Sequence, residues 1–191
     1  MAQVTVTPQK FAMVFFEPDR IKAVAEETAA AVGLPADLAV RIEIDEVSPL
    51  GRSTVTSLSP VTITVEGGAF ENAKKPRHMS ETGIRDVLSR LFFRVKDRLS
   101  GTFDEAPDDA DLSLQQSTAW DAYAVGRSER SGLTDQKSRR LYHFRNRHGF
   151  SDAADAVFER LWNADGLSWA DIQAACDETA RAREAAPAPG L

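Results

Sequence analysis

One stretch decides the fold: residues 80–101 read SETGIRDVLSRLFFRVKDRLSG. Ser80 is a typical helix N-cap, Glu81 lies in the first turn, and Gly101 ends the pattern. Apolar residues recur between them at helical spacing, which predicts a long amphipathic core helix. The apolar positions are Ile84, Val87, Leu88, Leu91, Phe92, Val95 and Leu99. The opposite face is mostly cationic and is expected to face solvent; it holds Arg85, Asp86, Ser89, Arg90, Arg94, Lys96, Asp97 and Arg98.

Strand-like patterns precede this helix. Residues 39–45 and 61–66 alternate apolar and polar side chains, as strands with one buried face do. Residues 4–6 form a shorter alternating run, and Val55 begins a further strand between the two longer ones. Residues 18–33 are predicted to form a helix that starts at a proline and ends at a glycine. The predicted fold class is therefore α+β, with a small antiparallel or mixed sheet packed on the long helix.

Two segments of the N-terminal half are less regular. Residues 11–16 read FAMVFF, an apolar run whose periodicity assigns it to neither strand nor helix. Residues 72–78 combine two lysines, an arginine and a proline, and this composition predicts an exposed basic loop.

Beyond residue 101 the pattern becomes helical. We predict an α/β core over residues 1–101, an acidic linker over 102–111, a helical region packed on the same core over 112–184, and a disordered tail over 185–191. Capping residues and apolar spacing divide the helical region into four helices. They are predicted at residues 112–131, at 135–148, at 151–166 and from 168 onward.

The composition of the 191 residues is that of an ordinary globular protein. Its net charge is −6, so attraction of the whole molecule to nucleic acid or anionic lipid is disfavoured. No apolar run approaches the roughly 20 residues that span a bilayer, and the N-terminus lacks a signal-peptide pattern. The single cysteine, Cys176, lies on an apolar helical stripe and is predicted to be a core residue. We therefore expect an acidic, soluble, cytoplasmic protein that does not contact membranes.

The motifs of the common enzyme classes are missing. The chain has no glycine-rich phosphate loop, no nucleophile elbow and no Cys-x-x-Cys pair. With three histidines and one cysteine, it is expected to have no catalytic residue, no metal and no cofactor. One carboxylate grouping remains as an alternative: Asp45 and Glu46 end one predicted strand, near Glu43, and Glu66 ends the next. Such acids are able to share a hard cation or to run acid–base chemistry, although most acids at strand ends are solvated.

The sharpest functional feature is residues 138–150, SRRLYHFRNRHGF, which interleave cations with aromatic rings. The candidate binding residues in this segment are Arg139, Arg140, His143, Arg145, Arg147 and His148. His143 and His148 lie five positions apart, so their side chains diverge by roughly 140° around a helix and are not placed to chelate one metal. Three interpretations stay open: contact with an acidic protein surface, contact with nucleic acid, and pairing with the chain's own acids.

The order of elements resembles that of the minimal zincin metallopeptidases. Residues 18–101 give a helix, two alternating strands, a glycine-containing loop and a long amphipathic helix, as in that family. The family's helix carries His-Glu-x-x-His, whereas this one has Val87-Leu88-Ser89-Arg90-Leu91-Phe92. The resemblance therefore implies a degenerate relative without a metal site, whose strand edge and cleft bind a peptide or another partner.

Together, these patterns favour a non-catalytic binding or assembly module that contacts another protein. The hypothesis rests on the missing reaction centre, the uneven charge distribution and three tryptophans in the helical half. An enzyme with an unusual site is the first alternative, using the carboxylates with a metal, or His143 and His148 beside arginines that hold a phosphorylated substrate. Nucleic-acid binding through residues 139–147 is the second.

Overall fold

The computed structural model describes residues 2–185 and confirms the α+β class. The helices in this range are α1 (Pro18–Val32), α2 (Glu81–Leu99), α3 (Leu114–Arg130), α4 (Lys137–His148), α5 (Asp152–Asn163) and α6 (Trp169–Ala185). The strands are β1 (Gln3–Thr7), β2 (Ala39–Asp45), β3 (Ser53–Leu58), β4 (Val61–Glu66), β5 (Glu71–Asn72) and β6 (Lys75–Met79). The predicted tail lies outside the described residues except for Ala185, the last residue of α6. None of the helices described is both long enough and apolar enough to cross a membrane.

Four strands form a mixed sheet in the order β1-β2-β4-β3. β1, β2 and β4 run parallel, and β3 pairs with β4 in the antiparallel sense. The crossover from β1 to β2 runs through α1, as a parallel pair requires. One face of the sheet buries side chains such as Val40, Ile42 and Ile63 in a single core with α1 and α2. The other face is polar, rich in threonine and accessible to solvent.

The polar face of α2 is not the solvent face that the sequence predicts. Ser89, Arg94 and Asp97 are buried on it because α3 packs there and supplies polar partners. Arg94 Nη2, for example, donates a hydrogen bond of 2.7 Å to Asp121 Oδ1 on α3. The sequence predicts that Leu99 lies on the buried apolar face, and this prediction is wrong. The residue ends the helix and is exposed. Helix α2 is therefore enclosed on two sides, by the sheet core and by α3.

The helical half has a second core, built around α3. Its largest buried side chains are Phe103, Trp120, Tyr123, Phe144, Phe158, Trp162 and Trp169. All three tryptophans are among them, so they do not contribute to a binding surface as the sequence hypothesis assumed. Their role is to fill the space between α3, α5 and α6.

The acidic segment that follows α2 packs against both halves. Phe103 is buried, and its ring stacks on Trp120 with 4.9 Å between the ring centroids. The Asp109 carboxylate pairs with Arg98 at 3.0 Å and accepts the backbone N–H of Val55 at 3.1 Å. This segment therefore connects the edge of the sheet, α2 and the helical core.

The two irregular N-terminal segments differ in outcome. Residues 11–16 form a loop, in which Phe16 is buried and Phe15 makes an isolated bridge to His78. Residues 72–78 are basic and largely exposed as predicted, but they form most of the β5–β6 hairpin instead of a plain loop. The apolar run at 11–16 thus supplies loop contacts to the core without regular structure.

Candidate anion-binding site on the helical half

Two of the four arginines in the predicted basic segment are used inside the fold. Arg140 Nη1 donates to Asp121 Oδ2 on α3 at 3.1 Å. Arg145 forms two hydrogen bonds with the Asp155 carboxylate on α5, from Nε at 2.8 Å and from Nη2 at 2.5 Å. Internal pairing, one of the open interpretations, therefore applies to these two side chains, and Arg145 faces away from any site on the outer side of α4.

The other two arginines lie on the solvent side of α4. Arg139 and Arg147 are exposed and form no ion pair with any residue that the structure describes. Two large rings are exposed on the same side: Tyr142 is 59% and Phe150 68% accessible, and their centroids lie 6.4 Å apart. Spacings of three and four residues place Arg139, Tyr142 and Arg147 on one face of α4, and Phe150, which follows the end of the helix, contacts Tyr142 through its ring. The set is termed the α4 stripe and comprises Arg139, Tyr142, His143, Asn146, Arg147 and Phe150.

His148 is not part of this surface. It is buried, its Nδ1 lies 2.7 Å from Thr179 Oγ1, and its Nε2 lies 3.1 Å from the Gln115 carbonyl oxygen. Its ring also stacks on Phe144 at 3.9 Å between centroids. Burial lowers the pKa of His148 to about 4, although the hydrogen bond to the Gln115 carbonyl opposes that shift. His148 is therefore a neutral residue that joins α3, α4 and α6, and the structure does not place it on the exposed face with the other predicted binding residues.

An arginine cluster lies behind the α4 stripe. It consists of Arg90, Arg94 and Arg98 on α2, Arg140 on α4, and the carboxylates of Asp109 and Asp121. Asp121 contacts Arg90 at 3.2 Å, Arg94 at 2.7 Å and Arg140 at 3.1 Å. Asp109 contacts Arg98 at 3.0 Å and Arg94 at 3.5 Å. Four guanidinium groups share two carboxylates, so the cluster carries two more positive than negative charges.

The electrostatics of the cluster reflect this surplus. Burial alone would raise the pKa of Asp121, but the guanidinium groups of Arg90, Arg94 and Arg140 outweigh it and hold that pKa well below its usual range. Burial lowers the pKa of Arg140 to about 10; Asp121 opposes the shift, and repulsion from Arg90 and Arg139 adds to it. The Nε atoms of Arg94 and Arg140 are also buried without a hydrogen-bond partner among the described residues. A buried donor without an acceptor is unfavourable by about 1–3 kcal/mol, so these two buried Nε–H groups lower the stability of the cluster.

A cavity of about 470 Å³ opens between α3 and α4 and connects the cluster with the stripe. Arg140 and Asp121 line it from the cluster, His143 and Arg147 from the stripe, and Ser117 from α3. His143 is exposed at its rim, and its pKa is lowered by partial burial and by the positive charges of Arg140 and its neighbours. The cavity therefore offers a positive, donor-rich environment that suits an anionic ligand.

The structure keeps Glu43, Asp45 and Glu66 of the predicted carboxylate grouping on one crevice and separates Glu46 from them. The Glu46 carboxylate accepts the backbone N–H groups of Ala12 and Met13, at 2.8 and 2.7 Å, and so holds the loop before α1. Asp45 and Glu66 are register partners on β2 and β4, beside a crevice of about 620 Å³ on the polar face of the sheet. Within residues 2–185, no group of three or more histidine, cysteine, aspartate or glutamate side chains is placed to hold a metal ion.

The sequence interpretation names the exposed candidates Arg139, His143 and Arg147 but does not indicate the arginine cluster. Arg90, Arg94 and Arg98 recur every four residues and so lie along one line of α2, which is the signal that points to a shared environment. Their partners Asp109 and Asp121 come from a predicted linker and from another helix, and no local pattern connects them to α2.

The chain matches no protein-family model, no curated protein and no solved structure. The resemblance to minimal zincins therefore stays a prediction, and a function has to be inferred from the geometry of the α4 stripe and the cavity beside it.

Proposed function

We propose that the protein is a non-catalytic binding module that docks an acidic segment of a partner protein on the α4 stripe. The observation that carries this proposal is the exposure, on one face of α4 and at the residue just beyond its end, of two cations without an ion pair among the described residues and of two aromatic rings. Arg139 and Arg147 supply the charge, and Tyr142 and Phe150 supply the apolar area. Aromatic residues and arginine are the types enriched in protein interfaces.

The charge of the stripe favours an acidic occupant. Its two free arginines lie beside the cluster that holds two surplus positive charges, whereas the chain as a whole has a net charge of −6. Screening at physiological ionic strength acts over about 8 Å, so a short segment senses mainly the local positive charge. The negative charges elsewhere then repel the partner only weakly and limit where it binds.

Nucleic acid is the less favoured occupant. An extended polyanion contacts more of the surface than a short segment does, and its affinity depends on the number of free cations along its path. Arg140 and Arg145, the other two arginines of the basic segment, are engaged with Asp121 and Asp155. Arg139 and Arg147 are the two arginines of the segment left for phosphate contacts on the exposed face.

Three synthetic amphipathic helical peptides test the proposal. They share one leucine pattern and carry glutamate, glutamine or lysine at the polar positions. Fluorescence anisotropy at low and at physiological salt gives the Kd of each. The glutamate peptide is expected to bind at least about tenfold more tightly than the glutamine peptide, a difference of about 1.4 kcal/mol, and the lysine peptide is expected not to bind.

A pair of double variants locates the binding. The double variant Arg139→Glu, Arg147→Glu is expected to raise the Kd of the glutamate peptide by at least about tenfold. The double variant Lys74→Glu, Lys75→Glu makes the same charge change on the exposed β5–β6 hairpin. Its Kd for the glutamate peptide is expected to stay within about twofold of that of the unmodified protein. Equal weakening by both variants, or tighter binding of a single-stranded oligonucleotide than of the glutamate peptide, would overturn the proposal.

A further inference from the structure

We infer that the cavity between α3 and α4 binds a phosphate monoester group, held by Arg140 and Arg147. The ester comes either from a phosphorylated side chain of the docked segment or from a free small molecule, and both present the same dianion. The inference deepens the proposed function and rests on it for the first of these sources only.

The geometry of Arg140 points to a ligand. Its Nη1 donates to Asp121, its Nε is buried, and its Nη2 forms no hydrogen bond with a described residue. The side chain nevertheless lines the cavity, next to Arg147 and His143. A guanidinium group presents donors in a planar fork that matches the oxygen atoms of a phosphate group. Arg140 therefore faces the cavity with donor capacity that the fold leaves unused.

The charge of the arginine cluster matches the proposed ligand. Four arginines share two aspartates, which leaves two positive charges without a carboxylate. A phosphate monoester carries about two negative charges at neutral pH, whereas a carboxylate carries one. A bound dianion would neutralise both surplus positive charges of the cluster. A glutamate side chain in the same position would neutralise one of them.

The cavity also has room and further donors for an ester. Ser117 Oγ accepts a hydrogen bond of 3.1 Å from Arg94 Nη2, which leaves its own O–H to donate. The volume of about 470 Å³ falls within the range of small-molecule pockets. The cavity therefore accommodates the phosphate group together with the carbon chain that carries it, which favours an ester over inorganic phosphate.

Among the described residues that line the cavity, Asp121 is the one carboxylate, and it opposes anion binding. Its charge is compensated because it contacts Arg90, Arg94 and Arg140 at 3.2 Å or less. The pKa of Asp121 is held low by the same three groups, so it is ionised at neutral pH. Asp121→Asn should therefore remove a repulsion and tighten phosphate binding, provided that the variant folds.

His143 supplies a readout of the bound charge. The pKa of His143 is lowered by partial burial and then by Arg140, Arg139 and Arg147, with Asp121 acting in the opposite direction. A dianion in the cavity adds negative charge close to the imidazole and raises that pKa. Binding elsewhere on the surface would leave the titration of His143 unchanged.

The experiment is an NMR titration of isotope-labelled protein with O-phosphoserine, with inorganic phosphate and serine as comparison ligands. The resonances followed are the His143 ring and the arginine Nε–Hε groups. Phosphoserine is expected to saturate with a Kd of about 1 mM and to raise the pKa of His143 by at least about half a unit. Serine is expected to have no effect, and inorganic phosphate is expected to bind more weakly than phosphoserine.

Two matched variants complete the test. Arg147→Gln removes an exposed cation from the cavity wall and is expected to raise the Kd of phosphoserine by about tenfold. Arg145→Gln makes the same substitution on the same helix, at a residue paired with Asp155 outside the cavity. Its Kd for phosphoserine is expected to stay within about twofold of that of the unmodified protein. Equal weakening by both variants, no saturation with phosphoserine, or an unchanged pKa of His143 would overturn the inference.

The outcomes also separate this inference from the proposed function. If phosphoserine does not bind but the glutamate peptide does, the phosphate site is rejected and the proposed docking surface is still supported. Saturation by phosphoserine without binding of the glutamate peptide supports the site and rejects the docking of an unphosphorylated acidic segment. The same peptide with one phosphoserine then separates the two sources: tighter binding than free phosphoserine identifies a phosphorylated segment, and no binding identifies a free ester.

Discussion

Trp120 on α3 donates its indole N–H to the carboxylate of Asp97 on α2, with 2.8 Å between Nε1 and Oδ2. The same carboxylate accepts two hydrogen bonds from Arg127, both of 2.7 Å. Trp120 and Asp97 are buried, so these bonds form away from water, where the sheet core and the helical core meet. At this contact the two halves pack through a polar interface in which the buried Asp97 carboxylate is paired with Arg127.

Removing this carboxylate should destabilise the fold strongly. Asp97→Ala leaves the Arg127 guanidinium and the Trp120 N–H without their acceptor, which is expected to lower the free energy of unfolding by roughly 3–5 kcal/mol. Urea denaturation followed by circular dichroism measures the change. Asp165→Ala, at a pair with Arg130 where the aspartate side chain is 76% exposed, is the control and should stay within about 1 kcal/mol. A loss below about 1 kcal/mol for Asp97→Ala would contradict the role given to this contact.

The packing of α3 on α5 should tolerate no side chain at Gly126. A Cβ built there would overlap the Trp162 carbonyl oxygen, a backbone atom that has no freedom to rotate away. Gly126→Ala is therefore expected to destabilise the protein by about 1–3 kcal/mol or more. Gly51→Ala is the matched control, because its Cβ would meet nothing closer than 3.9 Å. Thermal unfolding of both variants compares them directly, and equal melting temperatures would rule out the close approach.

His148 should make stability depend on pH in a defined window. Its pKa is lowered by burial to about 4 in the folded protein, so between pH 6.5 and about 4 the unfolded chain binds the proton first. The stability that neutral His148 contributes is complete above pH 6.5 and decreases as the pH falls, by roughly 2–3 kcal/mol at pH 4. Urea denaturation at several pH values should show a shallower decrease for His148→Gln than for the unmodified protein. Parallel profiles would show that His148 is not held neutral.

Cys176 should react slowly while the protein is folded. Burial, with a smaller contribution from Asp177, raises the pKa of its thiol to about 12, so little thiolate is present near pH 8. The thiolate is the reactive form, and Ellman's reagent is expected to react at least about 100-fold more slowly with the folded protein than with the protein in denaturant. Similar rates in the two conditions would indicate that the thiol is accessible, contrary to the core role that the sequence predicts.

The elements that could be predicted from the sequence are those with a local signal. Residues 39–45 and 61–66 alternate in polarity because one sheet face is buried and the other is wet, and both are strands. The Ser80 cap and the apolar spacing after it place α2 within one or two residues, and Ser80 Oγ accepts the Gly83 N–H as a cap does. These signals depend on neighbours a few positions away.

The features that could not be predicted depend on distant partners. Arg94 has the sequence context of a solvent-facing residue, and what buries it is α3, which begins fifteen residues after α2 ends. Arg139 and Arg140 are adjacent and chemically identical, yet one is exposed and the other pairs with Asp121. A charged helix without a clear apolar face gives no indication of which cations are buried. The sequence pattern therefore gives the same prediction for every arginine of the basic segment.

The measurement that tests the central claim most directly is amide chemical-shift mapping with the glutamate peptide on ¹⁵N-labelled protein. If the α4 stripe is the docking surface, the largest shifts fall within residues 139–150 and disappear in the Arg139→Glu, Arg147→Glu double variant. Shifts centred on the open sheet face, or shifts on α4 that persist in the double variant, would contradict that assignment.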